Sequence, residues 1–78
     1  MPNQANGRSN YRVDPNGVEV ARGYGTGRYS RVRVLWDSTR AGDRTCADVP
    51  FDESPISHDQ LDSIILGLNN GSIEDRWI

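Results

Sequence analysis

Polar and apolar residues alternate along the first half of the chain in the pattern of β-strands that are buried on one side. The clearest segment runs from Arg28 to Asp37. One set of its side chains is mostly apolar and comprises Ser30, Val32, Val34 and Trp36. The set that points the other way comprises Tyr29, Arg31, Arg33 and Leu35. The segment therefore predicts a sheet with one buried face and an arginine-rich row on the other.

Shorter segments predict the remaining strands. Residues 10–14 alternate, residues 14–17 (Asp-Pro-Asn-Gly) supply turn residues, and Val18 and Val20 resume the alternation, which predicts a β-hairpin. Residues 44–49 predict a further strand that ends at Pro50.

An amphipathic helix after Ser57 has the strongest signals. Ser57 and Gln60 have the spacing of a capping box, and Ile56 and Leu61 have that of a hydrophobic staple. Residues 69–71 (Asn-Asn-Gly) predict its end. Its apolar stripe follows the i, i+3, i+4, i+7 pattern and consists of Leu61, Ile64, Ile65 and Leu68.

These elements predict an α+β fold, with a three- to four-stranded antiparallel sheet and one amphipathic helix packed on one face. We expect residues 1–9 to form a flexible N-terminal tail and residues 10–78 to form a single domain, with Ile73 and Trp77 folded back onto the core. The predicted core comprises Val13, Val18, Val20, Val32, Val34, Trp36, Val49, Phe51, Leu61, Ile64, Ile65, Leu68 and Trp77.

The length of 78 residues favours a function carried out at the surface. A core of this size supplies only about 3–5 kcal/mol, which leaves little stability for a deep, desolvated active site. A single cysteine, no visible signal peptide and no apolar run longer than residues 64–66 predict a cytoplasmic protein without membrane contact.

Charge is distributed unevenly along the chain, although the net charge is only −2. Eight of the nine arginines precede Thr45, whereas seven of the eleven acidic residues follow it. Such asymmetry indicates a partner rather than a fold. One candidate contact surface is the outward row with its neighbour from the first strand: Tyr29, Arg31, Arg33, Leu35 and Arg12. The other is an acidic surface around the helix start: Asp48, Asp52, Glu53, Asp59 and Asp62.

Motifs for catalysis or cofactor binding are weak. Cys46 and His58 are the residue types of a nucleophilic dyad, but a small apolar cysteine and an exposed histidine at a helix start account for both. The carboxylates near His58 match neither zinc nor EF-hand spacing. The glycines of residues 23–27 precede a strand, not the helix of a phosphate-binding loop. We predict no enzyme activity, no metal and no cofactor.

The leading hypothesis is a module that binds another protein, either as a monomer or as a weak dimer. Tyrosine and arginine are enriched in interface hot spots, although a solvated sheet face would also carry arginine. The alternative is a nucleic-acid-binding module that uses the arginine row with Tyr24 and Tyr29. The net negative charge argues against that alternative, because the acidic half repels a polyanion.

In length, and in its acidic residues from Asp48 to Asp62 with Glu74 and Asp75, the chain resembles the small phage-encoded anti-CRISPR proteins. These are commonly short single domains without catalytic residues, and several present acidic surfaces to basic Cas subunits. The resemblance implies an inhibitor that docks on a defence complex in the bacterial cytoplasm. The arginines of residues 28–33 depart from a simple mimic of DNA, so no residue role is transferred.

Overall fold

A computed structural model describes residues 8–25, 27–38, 40–76 and 78. It contains a five-stranded antiparallel sheet and one helix, which confirms the α+β fold class. The elements are β1 (Arg8–Val13), a 3₁₀ turn (Pro15–Gly17), β2 (Glu19–Val20), β3 (Arg28–Ser38), β4 (Cys46–Pro50), β5 (Ile56–Ser57) and α1 (His58–Asn70).

Strand β3 pairs with all four other strands. Leu35 lies opposite both Arg12 of β1 and Cys46 of β4, so those strands occupy opposite edges of β3. Tyr29 likewise lies between Val20 of β2 and Ile56 of β5. One edge therefore carries β1 and β2, and the other carries β4 and β5. The sheet has five strands instead of the expected three or four because each flanking strand is interrupted once.

The predicted hairpin between residues 10–14 and Val18–Val20 is wrong. The turn exists, but β1 and β2 both pair with β3, and no pairing joins them to each other within the described ranges. The Asp14 side chain accepts a hydrogen bond from the Asn16 N–H at 3.0 Å, which starts the 3₁₀ turn. The chain leaves this turn in the direction in which it entered, so the two segments continue along one edge.

The core lies between the sheet and α1, on the face that the alternation in β3 predicts. Val32, Val34 and Trp36 are at most 2% exposed. Leu61 and Leu68 of the helix are buried against the same cluster. The buried cluster comprises Tyr11, Val32, Val34, Trp36, Val49, Ile56, Leu61, Leu68 and Ile78.

The remaining core predictions have mixed outcomes. Val20 was expected inside but is 62% exposed, whereas the next residue, Ala21, is buried. Trp77 lies outside the described residues. Five further residues are partly buried at the border of the cluster: Val13, Val18, Phe51, Ile64 and Ile65.

The helix begins and ends where the sequence predicts. The Ser57 hydroxyl accepts from the Gln60 N–H at 3.2 Å, and Gln60 Oε1 accepts from the Ser57 N–H at 2.8 Å, which completes the capping box. Gly71 closes the helix with φ of 84°, in the left-handed region that glycine adopts most readily.

The first described residues and the C-terminal segment both belong to this frame. The Ile73 N–H donates to the Gly67 carbonyl at 3.1 Å, which confirms that the C-terminal segment folds back, and Ile78 is buried. At the other end, Arg8 and Ser9 were assigned to the tail but are the first residues of β1. The rest of the predicted tail, residues 1–7, lies outside the described residues.

Helix α1 also closes the free edge of β1. The register of β1 shifts between Ser9 and Arg12, where Asn10 adopts a φ of 56°. The backbone of Tyr11 then points away from β3 and meets the side chain of Asn69. Asn69 Oδ1 accepts from the Tyr11 N–H at 2.7 Å, and Asn69 Nδ2 donates to the Tyr11 carbonyl at 2.9 Å.

Candidate functional site

The face of the sheet opposite α1 carries most of the predicted contact residues. Arg31, Arg33 and Leu35 alternate with the buried Val32 and Val34, and all three are partly exposed. Arg12, which is exposed, lies directly opposite Leu35 across the β1–β3 ladder. We call Arg12, Arg31, Arg33, Leu35 and the carboxylates bound to these arginines the outer face.

Tyr29 does not belong to the outer face, contrary to the sequence prediction. Glu19 of β2 lies opposite Arg31, and Val20 lies opposite Tyr29. This one-residue step along β2 therefore matches a two-residue step along β3. The extra residue, Ser30, is a β-bulge, and one inserted residue reverses the alternation beyond it. Tyr29 therefore packs against the core, on the α1 side of the sheet.

Arg33 is held by two carboxylates. Its Nε lies 2.7 Å from Asp48 Oδ1, its Nη2 lies 3.4 Å from Asp48 Oδ2, and its Nη1 lies 3.8 Å from Asp14 Oδ2. The hydrogen bond and the charge of Arg33 lower the pKa of Asp48, and Asp48 in turn raises the pKa of Arg33. This bidentate geometry fixes the guanidinium plane.

Arg12 is oriented in a similar way at the β1 edge. Its Nη1 donates to the Asn10 carbonyl at 2.9 Å and to Asp37 Oδ1 at 3.1 Å. Asn10 Nδ2 donates to the other oxygen of Asp37 at 3.1 Å. The hydrogen bond from Asn10, followed by that from Arg12, lowers the pKa of Asp37.

Arg31 is less completely paired than its neighbour. Its Nη2 lies 3.7 Å from Asp52 Oδ2, which is a longer contact than those of Arg12 and Arg33. Its Nε is buried and has no hydrogen-bond acceptor within the described part of the chain, although 43% of the side chain is exposed. Arg31 is therefore the arginine of this row with the most unused donor capacity.

The predicted acidic surface is divided between two places. Asp48 and Asp52 lie on the outer face beside Arg33 and Arg31, not on a separate acidic patch. Asp59 and Asp62 lie at the start of α1, where His58 Nδ1 is 3.3 Å from Asp62 Oδ2. Glu53 is exposed in the loop between β4 and β5. Folding pairs two arginines of the basic half with two carboxylates of the acidic half, and the sequence does not reveal this pairing.

The residue types considered for catalysis are far apart. Cys46 lies opposite Leu35, whereas His58 follows Ser57, which lies opposite Arg28. At about 3.3 Å per residue, the separation along β3 is roughly 20 Å, so Cys46 and His58 do not form a dyad.

The groups considered for metal or phosphate binding have simpler explanations. The ligand atoms of His58, Asp59 and Asp62 lie within 4.8 Å of one another, but the three residues are exposed, and acidic residues are favourable at a helix start without a metal. The connection between β2 and β3 contains Gly23, Gly25 and Gly27, and all three have positive φ. A hydrogen bond from the Ala21 N–H to the Arg28 carbonyl closes this connection.

A small apolar cleft was not predicted from the sequence. It has a volume of about 280 Å³ and lies between the 3₁₀ turn and the start of α1. The bulge at Ser30 forms part of its wall by turning Tyr29 inward. Its lining comprises Val13, Pro15, Val18, Tyr29, His58 and Leu61.

Comparison with protein-family models, with characterised proteins and with solved structures gives no match to this chain. Across the residues described, α1 is too short and too polar to cross a lipid bilayer.

Proposed function

We propose that this protein is a small protein-binding module that docks on its partner through the outer face. One observation carries the proposal: a sheet face that no other described element covers presents Arg12, Arg31 and Arg33 around the partly exposed Leu35. Arginines beside an apolar side chain have the composition of an interface centre.

The carboxylates of the outer face support this proposal because they orient the arginines before binding. Arg33 is fixed by Asp48 and Asp14, and Arg12 is fixed by Asp37. An ordered guanidinium loses less conformational entropy when it meets a partner than a mobile one does. Arg31 makes only a long contact to Asp52, at 3.7 Å, and 43% of its side chain is exposed, so its terminal nitrogens can reach an acceptor on the partner.

The same carboxylates favour a protein partner over nucleic acid. Three arginines of the outer face are accompanied by four carboxylates, from Asp14, Asp37, Asp48 and Asp52. A phosphate backbone requires a surface of net positive potential, which this balance does not provide. A protein surface with alternating charges can pair with both signs, so we rank the nucleic-acid hypothesis second.

We further propose that docking inhibits a bacterial defence complex of the CRISPR type, in the cytoplasm of the host. The support is the small size and the resemblance in acidic residues described above. Because Asp48 and Asp52 are paired with arginines, the proposed contact uses both charge signs and does not imitate the backbone of DNA.

The test compares two double variants with the same change in charge. Arg31→Ala/Arg33→Ala removes two arginines of the outer face, whereas Arg40→Ala/Arg76→Ala removes two that are about 80% exposed elsewhere. Partners are captured from host lysate with the wild-type protein and identified by mass spectrometry. Binding of the purified partner is then measured for all three proteins.

We expect the outer-face variant to bind at least about 10-fold more weakly, as for loss of a hot spot, and the control variant to bind as the wild type does. Circular dichroism confirms that both variants are folded. Equal affinities for the two variants would reject the outer face as the contact. A defence assay with phage infection then tests inhibition, which should be lost in the outer-face variant alone.

A further inference from the structure

Within the described residues, strand β4 pairs with β3 along one edge and with no strand along the other. The Trp36 N–H donates to the Thr45 carbonyl at 3.0 Å, and the Phe51 N–H donates to the Ser30 carbonyl at 2.7 Å. Hydrogen-bonded pairs alternate along an antiparallel ladder, so these bonds determine which residues of β4 bond to β3. The N–H and C=O groups of Ala47 and Val49 point toward β3. The N–H and C=O groups of Cys46 and Asp48 therefore point away from the sheet.

The two edges of the sheet are treated differently. On the β1 edge, the amide of Asn69 satisfies both backbone groups of Tyr11. Among the residues described, no acceptor is found for the N–H groups of Cys46 and Asp48. The Asp48 carboxylate does not guard this edge because it is bound to Arg33 on the outer face. Open edges of this kind are templates for strand pairing.

We propose that the β4 edge pairs with β4 of a second copy of this chain, antiparallel and about a two-fold axis at Ala47. In this register Cys46 lies opposite Asp48 of the second copy, and each such pair exchanges two backbone hydrogen bonds. The two symmetric pairs give four bonds, which use every outward N–H group of β4. The sheet then continues from one copy into the next.

The residues of β4 select this register over its neighbours. A shift that places Asp48 opposite Asp48 of the second copy would oppose like charges. The shift that places Cys46 opposite Cys46 would need the Arg44 backbone, whose carbonyl already accepts from Trp36 Nε1 at 2.6 Å. In the proposed register, the small Ala47 lies at the axis, where side chains approach most closely.

The edge is self-complementary, which is why a second copy is the occupant we infer. Pro50 has no N–H, so it ends the ladder three residues from the axis in each copy. A contact of this length is below the size of stable interfaces, so we expect a weak dimer with a dissociation constant of about 0.1–1 mM. The pairing uses the backbone of Asp48 but none of the arginine side chains of the outer face, so this inference does not depend on the proposed function.

The first test compares Cys46→Pro with Cys46→Ser by sedimentation equilibrium up to about 1 mM. Proline removes one outward N–H without removing a bond to β3, because Cys46 is a non-hydrogen-bonded partner of Leu35. We expect Cys46→Ser to dimerise as the wild type does and Cys46→Pro to dimerise at least about 10-fold more weakly while remaining folded by circular dichroism.

The second test determines the register of the β4–β4 pairing from disulfide formation between single cysteines. Opposed Ala47 residues would have Cα atoms about 4.5 Å apart, within the range of a disulfide. Under mild oxidation, Cys46→Ser/Ala47→Cys should form a linked dimer, whereas the wild type and Cys46→Ser/Asp48→Cys should not. Preferential linkage through either of those two would overturn the register.

The pairing itself is rejected by three results. These are a wild-type protein that stays monomeric at about 1 mM, a Cys46→Pro variant that dimerises normally, or capture of a foreign extended peptide by β4 in place of the second copy. The Arg31→Ala/Arg33→Ala variant should still dimerise, which separates this result from failure of the proposed docking function.

Discussion

Arg33 organises the outer face through both its side chain and its backbone. Its guanidinium binds Asp48 and Asp14, and its carbonyl accepts from the Asp14 N–H at 2.9 Å. Gly17 lies against its side chain so closely that an added Cβ would be 3.1 Å from Arg33 Cδ. The glycine predicted as a turn residue is thus required for contact as well.

Removal of the Arg33 side chain should change how Asp48 titrates. In the folded protein Arg33 lowers the pKa of Asp48 below its ordinary value of 3.8. The ion pair therefore contributes stability above that ordinary value, and the contribution is lost as the pH falls through the lowered pKa. In Arg33→Ala, NMR titration should show the pKa of Asp48 moving up toward its ordinary value.

The pKa of Asp37, which depends on Asn10 and Arg12, is the internal control for this experiment. It should be unchanged in Arg33→Ala. A pKa of Asp48 that does not rise in this variant would contradict the assigned ion pair.

Gly67 is a second position at which close packing favours glycine over a residue with a Cβ. It is buried in α1, and an added Cβ would lie 2.7 Å from Cγ1 of Ile73 and closer still to Cδ1. Overpacking costs about 1–3 kcal/mol, against a gain of about 1 kcal/mol in helix propensity. We expect Gly67→Ala to lower the free energy of unfolding by about 1 kcal/mol in urea denaturation.

Ser63→Ala, at an exposed position of the same helix, is the control and should be neutral or slightly stabilising. A more stable Gly67→Ala protein would show that Ile73 does not pack there.

At the scale of elements, local signals predicted more than pairing did. Helix α1 was predicted from end to end, because Ser57, Gln60 and Gly71 act within one turn of the backbone. The direction of Val32 and Val34 was also predicted, because alternation is a local property. The strand over residues 44–49 was found as β4, with its boundaries moved by one or two residues.

The wrong predictions concern features that depend on contacts between residues of different elements. Tyr29 faces the core because Ser30 bulges, and that bulge lies where β3 pairs with Glu19 and Val20 of β2. The sequence of Pro15–Gly17 predicts a turn that reverses the chain direction, yet both flanking segments pair with β3 instead of with each other. Asn69 was interpreted only as a helix-stop residue, because its contact with Tyr11 spans 58 residues.

The closure of the β1 edge can be tested with two substitutions of neighbouring asparagines. Asn69→Asp removes the donor to the Tyr11 carbonyl and should destabilise the protein by about 1–3 kcal/mol. Asn70 uses its side chain only as an acceptor from the Ser72 N–H at 2.9 Å, so Asn70→Asp keeps that bond. Both changes place a carboxylate at the same unfavourable helix end.

Chemical denaturation of the two variants therefore isolates the amide that pairs with Tyr11. Equal losses of stability in Asn69→Asp and Asn70→Asp would mean that only the helix dipole is affected, and that Asn69 does not support the edge.

At the scale of the whole molecule, folding offsets part of the charge asymmetry of the sequence. Arginines from the first half pair with Asp48 and Asp52 from the second half. The outer face therefore carries charges of alternating sign. This arrangement could not be predicted from composition, because it depends on the register that places Arg33 opposite Asp48.

We predict that the protein does not bind nucleic acid at low salt, because carboxylates accompany the arginines. Electrophoretic mobility shift with single- and double-stranded DNA and with RNA tests this at about 20 mM salt, where phosphate contacts are strongest. A variant with Asp37→Asn, Asp48→Asn and Asp52→Asn raises the net charge by three and should gain weak, salt-sensitive binding. A shift by the wild-type protein would return the nucleic-acid hypothesis to first place.

The central position of β3 also determines how the chain can be divided. Cleavage in the connection between Ser38 and Cys46 would leave β3 with β1 and β2 on one fragment, and β4, β5 and α1 on the other. The first fragment would hold Val32 and Trp36 without their helical cover, and the second would hold α1 without a sheet to pack on. Such fragments should be disordered separately and regain order only when mixed, which makes this connection a natural site for a split reporter.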